Sequence, residues 1–385
     1  MGRGDGHDDA LRRWLREAGG WLVVDGALGT ELEAHGADLQ DKLWSARCLV
    51  SAPHLIRKVH LDYLDAGANI ITTASYQVRT FHISSVSRPS KCSACSTMTR
   101  CLRARAGWQA TLQGFQSRGV SREQGEALLL RSVQIAQEAR AIFVEGRSKG
   151  PYSARDEYDG VVSRARRPVL VAASVGSYGA YLADGSEYTG DYGRSVTKEA
   201  LKNFHRRRLQ VLADAGPDLI AFETIPNKLE AQAYAELLEE NDIRIPAWFS
   251  FTSKDGANAA SGDPITELIH GLILSISKVT TKPIVVYPNT GETYVAETKE
   301  WVDSAAAGGG APGTDFVSCV GKWRQAGASL VGGCCRTGPA TVRAIARALR
   351  EADAAAAAED TDDDYPPWPS CRAYSFSRIL CCVAV

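Results

Sequence analysis

Short apolar stretches rich in β-branched residues alternate along the chain with longer stretches of helical period. Strand-like runs occupy residues 21–25, 69–75, 168–175, 218–223, 246–251, 283–287 and 329–332. Between them, residues 53–66 carry Leu55, Ile56, Val59, Leu61 and Leu64 along one stripe, the spacing of a helix with one buried face. Residues 121–144, 197–215 and 228–240 repeat that period, and the first of these opens on Ser121 and Gln124, the spacing of a capping box. Strands alternating with helices predict a parallel α/β fold. Polar or reactive residues close the predicted strands: Asp25, Thr73, Glu223, Asn289, Cys334 and Cys335. An eight-stranded β/α barrel carries its active site at that end. A doubly wound sheet also binds ligands beyond its strand ends. The rhythm runs without a reversal marker, which favours the TIM-type (β/α)8 barrel.

Two places break the rhythm. Residues 78–109 are basic, serine-rich and without period, and a stretch that long without structure is unusual inside a compact domain. We expect an inserted, disordered excursion within a barrel domain of residues 1–352. The second break is a shortage. The polar loop after residues 246–251 meets an apolar helix at residues 268–279 directly. One helix and one strand are missing there, so the expected barrel is incomplete at its sixth strand. Residues 353–385 pass from an alanine and acidic tract into PPWPSCRAYSFSRILCCVAV and are expected to form a disordered tail.

Composition narrows the function classes. A chain of 385 residues with 44% hydrophobic content has enough apolar material for a full core. A formal net charge of -1 argues against a nucleic-acid surface, which needs a basic excess. No apolar run reaches the length of a membrane span. The first nine residues are polar and lack the apolar centre of a signal peptide, and Gly6 stands where myristoylation needs Ser or Thr. The final Cys382-Val383-Ala384-Val385 fits a prenylation box loosely, but valine is not a usual last residue. The ten cysteines are expected as reduced thiols in the cytoplasm.

The candidate chemistry centres on Gly332-Gly333-Cys334-Cys335-Arg336-Thr337. Zinc takes thiolate ligands, but neighbouring side chains on a regular strand face opposite ways. Both sulfurs reach one ion only where the chain leaves strand geometry, which the two glycines permit. One packed and one incidental cysteine is the simpler alternative. Asp25-Gly26-Ala27-Leu28-Gly29-Thr30 closes the first strand; Asp25 either accepts from a ligand's ammonium group or caps the next helix. Glu223 in Phe222-Glu223-Thr224-Ile225-Pro226 offers the same two readings. Weaker matches read as ordinary structure. Gly308-x-Gly310-x-x-Gly313 follows an alanine run instead of a strand. Cys92 and Cys95 lack a second ligand pair. His205-Arg206-Arg207-Arg208 reads as a solvated helix face.

Seven segments together resemble the homocysteine S-methyltransferase family, most closely its members that use S-methylmethionine. They are VVDGALGTELEAHGADL, GANIITTASYQ, VAASVGSYGAYLADGSEYTGDYG, DLIAFETIPNKLEA, PAWFSFTSKDG, KPIVVYPNTGETY and GASLVGGCCRTGP. The resemblance implies a β/α barrel, zinc on three cysteines, homocysteine as acceptor and a sulfonium donor, S-methylmethionine or S-adenosylmethionine. The product would be methionine, and no catalytic residue is implied beyond the metal site. Cys334 and Cys335 fall on two of the three zinc ligands. Asp25, Gly26, Thr73 and Glu223 match positions that hold the amino and carboxylate groups of homocysteine. A monomer or weak homo-oligomer is expected. Two departures coincide with the broken rhythm. Family members run from SYQ straight into ATLQGFQ, without residues 78–109. The third zinc cysteine, in a Gly-x-Asn-Cys segment, is absent at the Glu267–Leu268 junction, and no other cysteine stands out as its substitute. The alternative to an active enzyme is therefore a catalytically silent, splice-type isoform that binds or regulates.

Overall fold

The computed structural model describes residues 8–37, 45–76, 111–116, 119–149, 167–182, 184–252, 259–262, 283–287, 293–295, 300–302, 316–325, 328–359 and 381–384. The 78–109 stretch, the Glu267–Leu268 junction, Asn289, the 308–313 glycines and the Cys92–Cys95 pair lie outside them.

All seven expected strands are present: β1 (Leu22–Val23), β2 (Ile70–Thr72), β3 (Leu170–Gly176), β4 (Leu219–Ile225), β5 (Ala247–Phe251), β6 (Ile284–Val286) and, after a short hairpin of β7 (Thr293–Val295) and β8 (Glu300–Val302), β9 (Ala328–Val331). With β10 (Cys381–Ala384) they make one sheet in the order β1-β9-β6-β10-β5-β4-β3-β2. Pairing is parallel except at β10, which runs antiparallel to both β5 and β6. The two ends of that order also meet. Val24 bridges Ile70, Asp25 N donates to Ile70 O at 3.0 Å and Asn69 N donates to Val23 O at 2.7 Å.

Strands covered on both faces read as continuous apolar runs, and the packing divides accordingly. One cluster gathers Leu22, Val24, Ile70, Leu170, Ala172, Leu219, Ala221, Trp248, Val285, Tyr287 and Leu330. The alternate residues, Val23, Ile71, Val171, Ile220, Phe222 and Phe249 among them, pack with the helices in a second, larger cluster. The first cluster lies on one face of the sheet and the second on the other, between sheet and helices. Leu11 and Leu15 of a helix at Asp8–Glu17 join the first cluster. That helix lies in a polar stretch where the apolar pattern gives little sign of it.

Helix limits follow local chemistry. Pro occupies the first turn of Pro53–Ala66, and Gly67 ends it at φ 107°, where only glycine is unstrained. Ser121 and Gln124 form the expected capping box of Arg122–Lys149, each side chain bonding the other's backbone N–H. Thr197 and Asn227 cap Lys198–Asp214 and Lys228–Glu240. None of the described helices is long and apolar enough to cross a membrane.

Two expectations change. His205-Arg206-Arg207-Arg208 is not wholly a solvated face, because His205 and Arg208 are buried. His205 Nε2 lies 2.8 Å from Glu230 Oε1, and Arg208 reaches the His205 ring and Gly176 O. Burial of these groups is tolerated because each has a partner. The tail of residues 353–385 is also partly ordered: one helix runs Pro339–Glu359, and Cys381–Ala384 is strand. A strand gap between β5 and β6 would leave two rows of backbone groups unpaired, and β10 pairs both.

His60 provides a test of the core. It is fully buried on the Pro53–Ala66 helix, and neither ring nitrogen has a partner among the described residues. Burial pushes its pKa down to about 4, so between that value and about 6.5 only the unfolded chain takes up the proton. Stability held above that window is therefore lost as pH falls through it, about 2 kcal/mol by pH 5. In His60→Leu, the loss of unfolding free energy between pH 7.5 and pH 5 should shrink by about that amount. Equal losses in variant and parent would show that His60 is not buried neutral.

Candidate functional site

The candidate residues converge where β1, β4, β6 and β9 end. Asp25 follows β1 and is buried; its Oδ2 accepts from Thr72 N at 2.8 Å and its Oδ1 from Thr72 Oγ1 at 3.0 Å. Burial pushes its pKa up to about 8; the Thr72 bonds oppose that rise and the charge of Glu223 adds to it. Thr72, which the sequence reading passed over, is thus the residue that clamps Asp25. Only its place at a strand end beside the expected Thr73 pointed to it. The Thr73 hydroxyl is engaged inside the sheet, accepting from Ser174 N at 3.0 Å and lying 2.6 Å from Ser75 Oγ.

Glu223 sits where the register of β4 against β5 slips between Phe222 and Ile225. Such a bulge re-aims side chains, and the next residue, Thr224, is held at φ 58°, a costly conformation for threonine that clusters at functional sites. Tyr76 Oη donates to Thr224 Oγ1 at 2.7 Å. The Glu223 carboxylate accepts from Ser174 Oγ and, at 3.2 Å, from Tyr287 Oη, which itself accepts from Trp248 Nε1 at 3.2 Å. Burial raises the Glu223 pKa, and the two hydroxyl bonds oppose that rise.

The cysteine segment is fixed by close backbone approach. Gly332 N donates to Val286 O at 2.9 Å and Gly333 N to Asp25 O at 3.1 Å. A Cβ on Gly332 would stand 2.6 Å from Val24 O, and one on Gly333 2.4 Å from Thr337 Oγ1. Thr337 N donates to Cys334 O at 3.1 Å, and Arg336 takes φ 67°. The chain therefore turns back after β9, as two adjacent cysteines on one side require. Their sulfurs lie 3.9 Å apart, half-buried. A hydrogen bond between the two lowers the Cys335 pKa and raises that of Cys334, while the Glu223 charge acts upward on both. Two thiolates on one tetrahedral zinc, each at about 2.3 Å, stand about 3.8 Å apart. The pair fits two positions of such an ion.

Gly26 joins the two loops. Ala27 N and Tyr63 Oη both donate to Thr337 O at 2.9 Å, and a Cβ on Gly26 would stand 2.4 Å from that oxygen. Away from the site, Glu31, His35 and Asp62 hold possible ligand atoms within 4.8 Å of one another. Lys58 already pairs with Asp62 there at 3.0 Å.

A parallel α/β sheet whose strand ends gather two thiols, the buried carboxylate of Asp25 and the half-buried one of Glu223 has the frame of a small-molecule enzyme. A sequence profile for homocysteine S-methyltransferase matches residues 22–273 and 267–349, two stretches that meet where the strand-helix repeat breaks. The chain belongs to the homocysteine S-methyltransferase family. It is 64% identical over 367 residues to homocysteine S-methyltransferase 4 of Zea mays, covering 89% of this chain and 94% of that protein. Selenocysteine Se-methyltransferase of Brassica oleracea var. italica is 50% identical over 362 residues, 88% of this chain and 92% of its own. Among solved structures, the metallated form of the homocysteine methyltransferase MmuM from Escherichia coli superposes with a TM-score of 0.63 at 36% identity. That match covers 88% of this chain and 99% of MmuM. The chain is thus a methyltransferase by family, and nothing in these likenesses supports a silent regulatory isoform.

Gly26→Ala tests the joint between the loops. A methyl group has no room against Thr337, so we expect a loss of about 1–3 kcal/mol in stability, the usual range for overpacking, and a raised KM for homocysteine. Thermal melts and initial rates measure both, and a parent-like variant would mean the loops are not locked together.

Proposed function

We propose that this chain moves a methyl group from S-methylmethionine, or from S-adenosylmethionine, to the sulfur of homocysteine, giving methionine, with zinc held by Cys334 and Cys335. The observation that carries this reading is the pair of half-buried sulfurs at 3.9 Å beside Glu223 and Asp25. Zinc, when bound, supplies the positive charge that keeps the acceptor sulfur deprotonated at neutral pH. The chain's own residues do the rest. An ammonium group bound beside Asp25 and Glu223 would favour the ionised forms that burial disfavours. Gly26 keeps the neighbouring backbone clear of a side chain, and Thr73 braces the same strand ends through Ser174 and Ser75. Ser174 and Tyr287 orient Glu223, and Thr72 orients Asp25. Methyl transfer is an in-line displacement: the donor's S–CH3 bond breaks as the new S–CH3 bond forms, and the donor leaves as a neutral thioether. Such a step needs positioning above all. Because the donor's positive charge is lost in the step, a dry, weakly polar surrounding suits it.

The fold reading belongs to the same proposal. Eight strands in cyclic order, with β1 meeting β2, support a (β/α)8 barrel in which β10 takes the sixth place. Residues 1–352 would form its domain, residues 78–109 an insertion, and residues 353–385 an appendage that returns to the sheet. We place the enzyme in the cytoplasm, as a monomer or weak homo-oligomer.

A donor panel with homocysteine and added zinc tests the reaction, with S-methylmethionine expected as the fastest donor. In parallel, Cys334→Ser/Cys335→Ser should lose most bound zinc while staying folded. Stoichiometric zinc in that double variant would sink the metal assignment.

A further inference from the structure

Gly176, the last residue of β3, pairs with Glu223, so the loop that follows β3 leaves the sheet beside that acid. One buried carboxylate pins this loop at both flanks. Glu230 accepts from Tyr178 N at 2.5 Å and from Tyr192 Oη, and its Oε1 lies 2.8 Å from His205 Nε2. Tyr192 Oη also accepts from Gly179 N at 3.1 Å. Between these flanks the turn Ser186–Thr189 is packed from two sides. A Cβ on Gly179 would stand 2.6 Å from Glu187 N, and one on Gly190 2.5 Å from Ser261 N.

That turn carries an acid which the mechanism above does not use. Glu187 is fully buried, and neither of its carboxylate oxygens has a hydrogen-bond partner among the described residues. Burial pushes its pKa up to about 7; its own backbone N–H opposes that rise and the charge of Asp184 adds to it. A buried acid without a partner is costly, and the pinned loop holds it in place regardless. Such violations gather at sites that await a ligand. Tyr76, which donates to Thr224 at 2.7 Å, is within electrostatic reach of both Glu223 and Glu187, and Glu223 acts in turn on Cys334 and Cys335. Thiols, Glu223, Tyr76 and Glu187 are thus a continuous series of electrostatic neighbours.

The reaction decides what an acid there can hold. A sulfonium donor of amino-acid type carries one positive charge on sulfur and another on its ammonium group. The sulfonium charge disappears during transfer, so a carboxylate against it would stabilise the reactant more than the transition state. The ammonium charge survives, and holding it does not slow the step. We propose that Glu187 selects the methyl donor by binding its ammonium group, the end remote from the reacting sulfur. The Ser186–Thr189 turn lies between Gly185 at φ 87° and Gly190 at φ 74°, where glycine turns without strain, and it is the element that opens to admit the donor. This inference rests on the methyl-transfer reading given above, and its test separates the two.

Binding of two donors to the full-length chain is measured by titration calorimetry, with initial rates taken alongside. One is S-methylmethionine; the other is its des-amino analogue, in which hydrogen replaces the ammonium group. The parent should prefer S-methylmethionine by about tenfold or more, the usual worth of a hydrogen bond to a charged group. Glu187→Gln keeps the shape and removes the charge, so it should bind the two donors about equally. Its loss should fall on Kd and KM for S-methylmethionine and leave KM for homocysteine as in the parent. Glu187→Asp keeps the charge with a shorter reach and should recover part of the preference; it carries the test alone if Glu187→Gln does not fold. A parent that does not discriminate, variants that keep the full preference, or an equal loss for both donors would each overturn the proposal, the last marking a structural role. If the parent neither binds nor uses either donor, the methyl-transfer reading itself fails; if it uses them and the preference ignores Glu187, that reading stands without this residue.

Discussion

A strand covered on both faces has no water for its backbone groups, so each must pair with a neighbour on either side. That constraint organises this molecule. It links β1 back to β2 through Val24 and Ile70, and it explains why a tail segment lies between β5 and β6 at all. Without a strand there, two buried edges would face each other across a gap. Antiparallel β10 satisfies both edges with only four residues. The helices then pack on one face of the sheet and the smaller apolar cluster on the other, and among the described residues every neighbour in the order from β4 to β9 is paired.

The site is a consequence of the same sheet. Asp25, Glu223 and the cysteine turn all sit where strands end, and each is locked by a backbone contact that a side chain would block or a bulge would redirect. Gly26 and Gly333 tie the first and last loops together at Thr337 and Asp25. The register slip in β4 and the left-handed Thr224 set Glu223. Two carboxylates therefore face two thiols in a setting where burial raises both acids. A cationic ammonium or a metal ion would favour the ionised acids that burial disfavours.

Much of this was legible in the sequence, because the fold rests on local signals. Seven apolar runs gave seven strands, and the capping box at Ser121 and the glycine at position 67 set their helices as local chemistry demands. Asp25, Glu223, Cys334 and Cys335 were visible because each lies near or just beyond the end of an apolar strand run. What escaped was long-range. Thr72 matters only because β2 lies beside β1. His205 and Arg208 looked solvated, since their charge is plain in sequence while their buried partners are distant in it: Glu230 comes 25 positions after His205, and Gly176 lies 32 before Arg208. The strand at Cys381–Ala384 pairs with segments more than ninety residues earlier in the chain, and nothing in a short apolar run says which edge it will fill.

The central claim is that the acceptor sulfur is held by a metal on this thiol cluster. Zinc-edge X-ray absorption of the zinc-loaded chain, titrated with selenohomocysteine, measures it directly. A selenium scatterer should enter the zinc shell beside the protein sulfurs as the ligand binds. A zinc shell that stays free of selenium at saturating ligand would contradict the account.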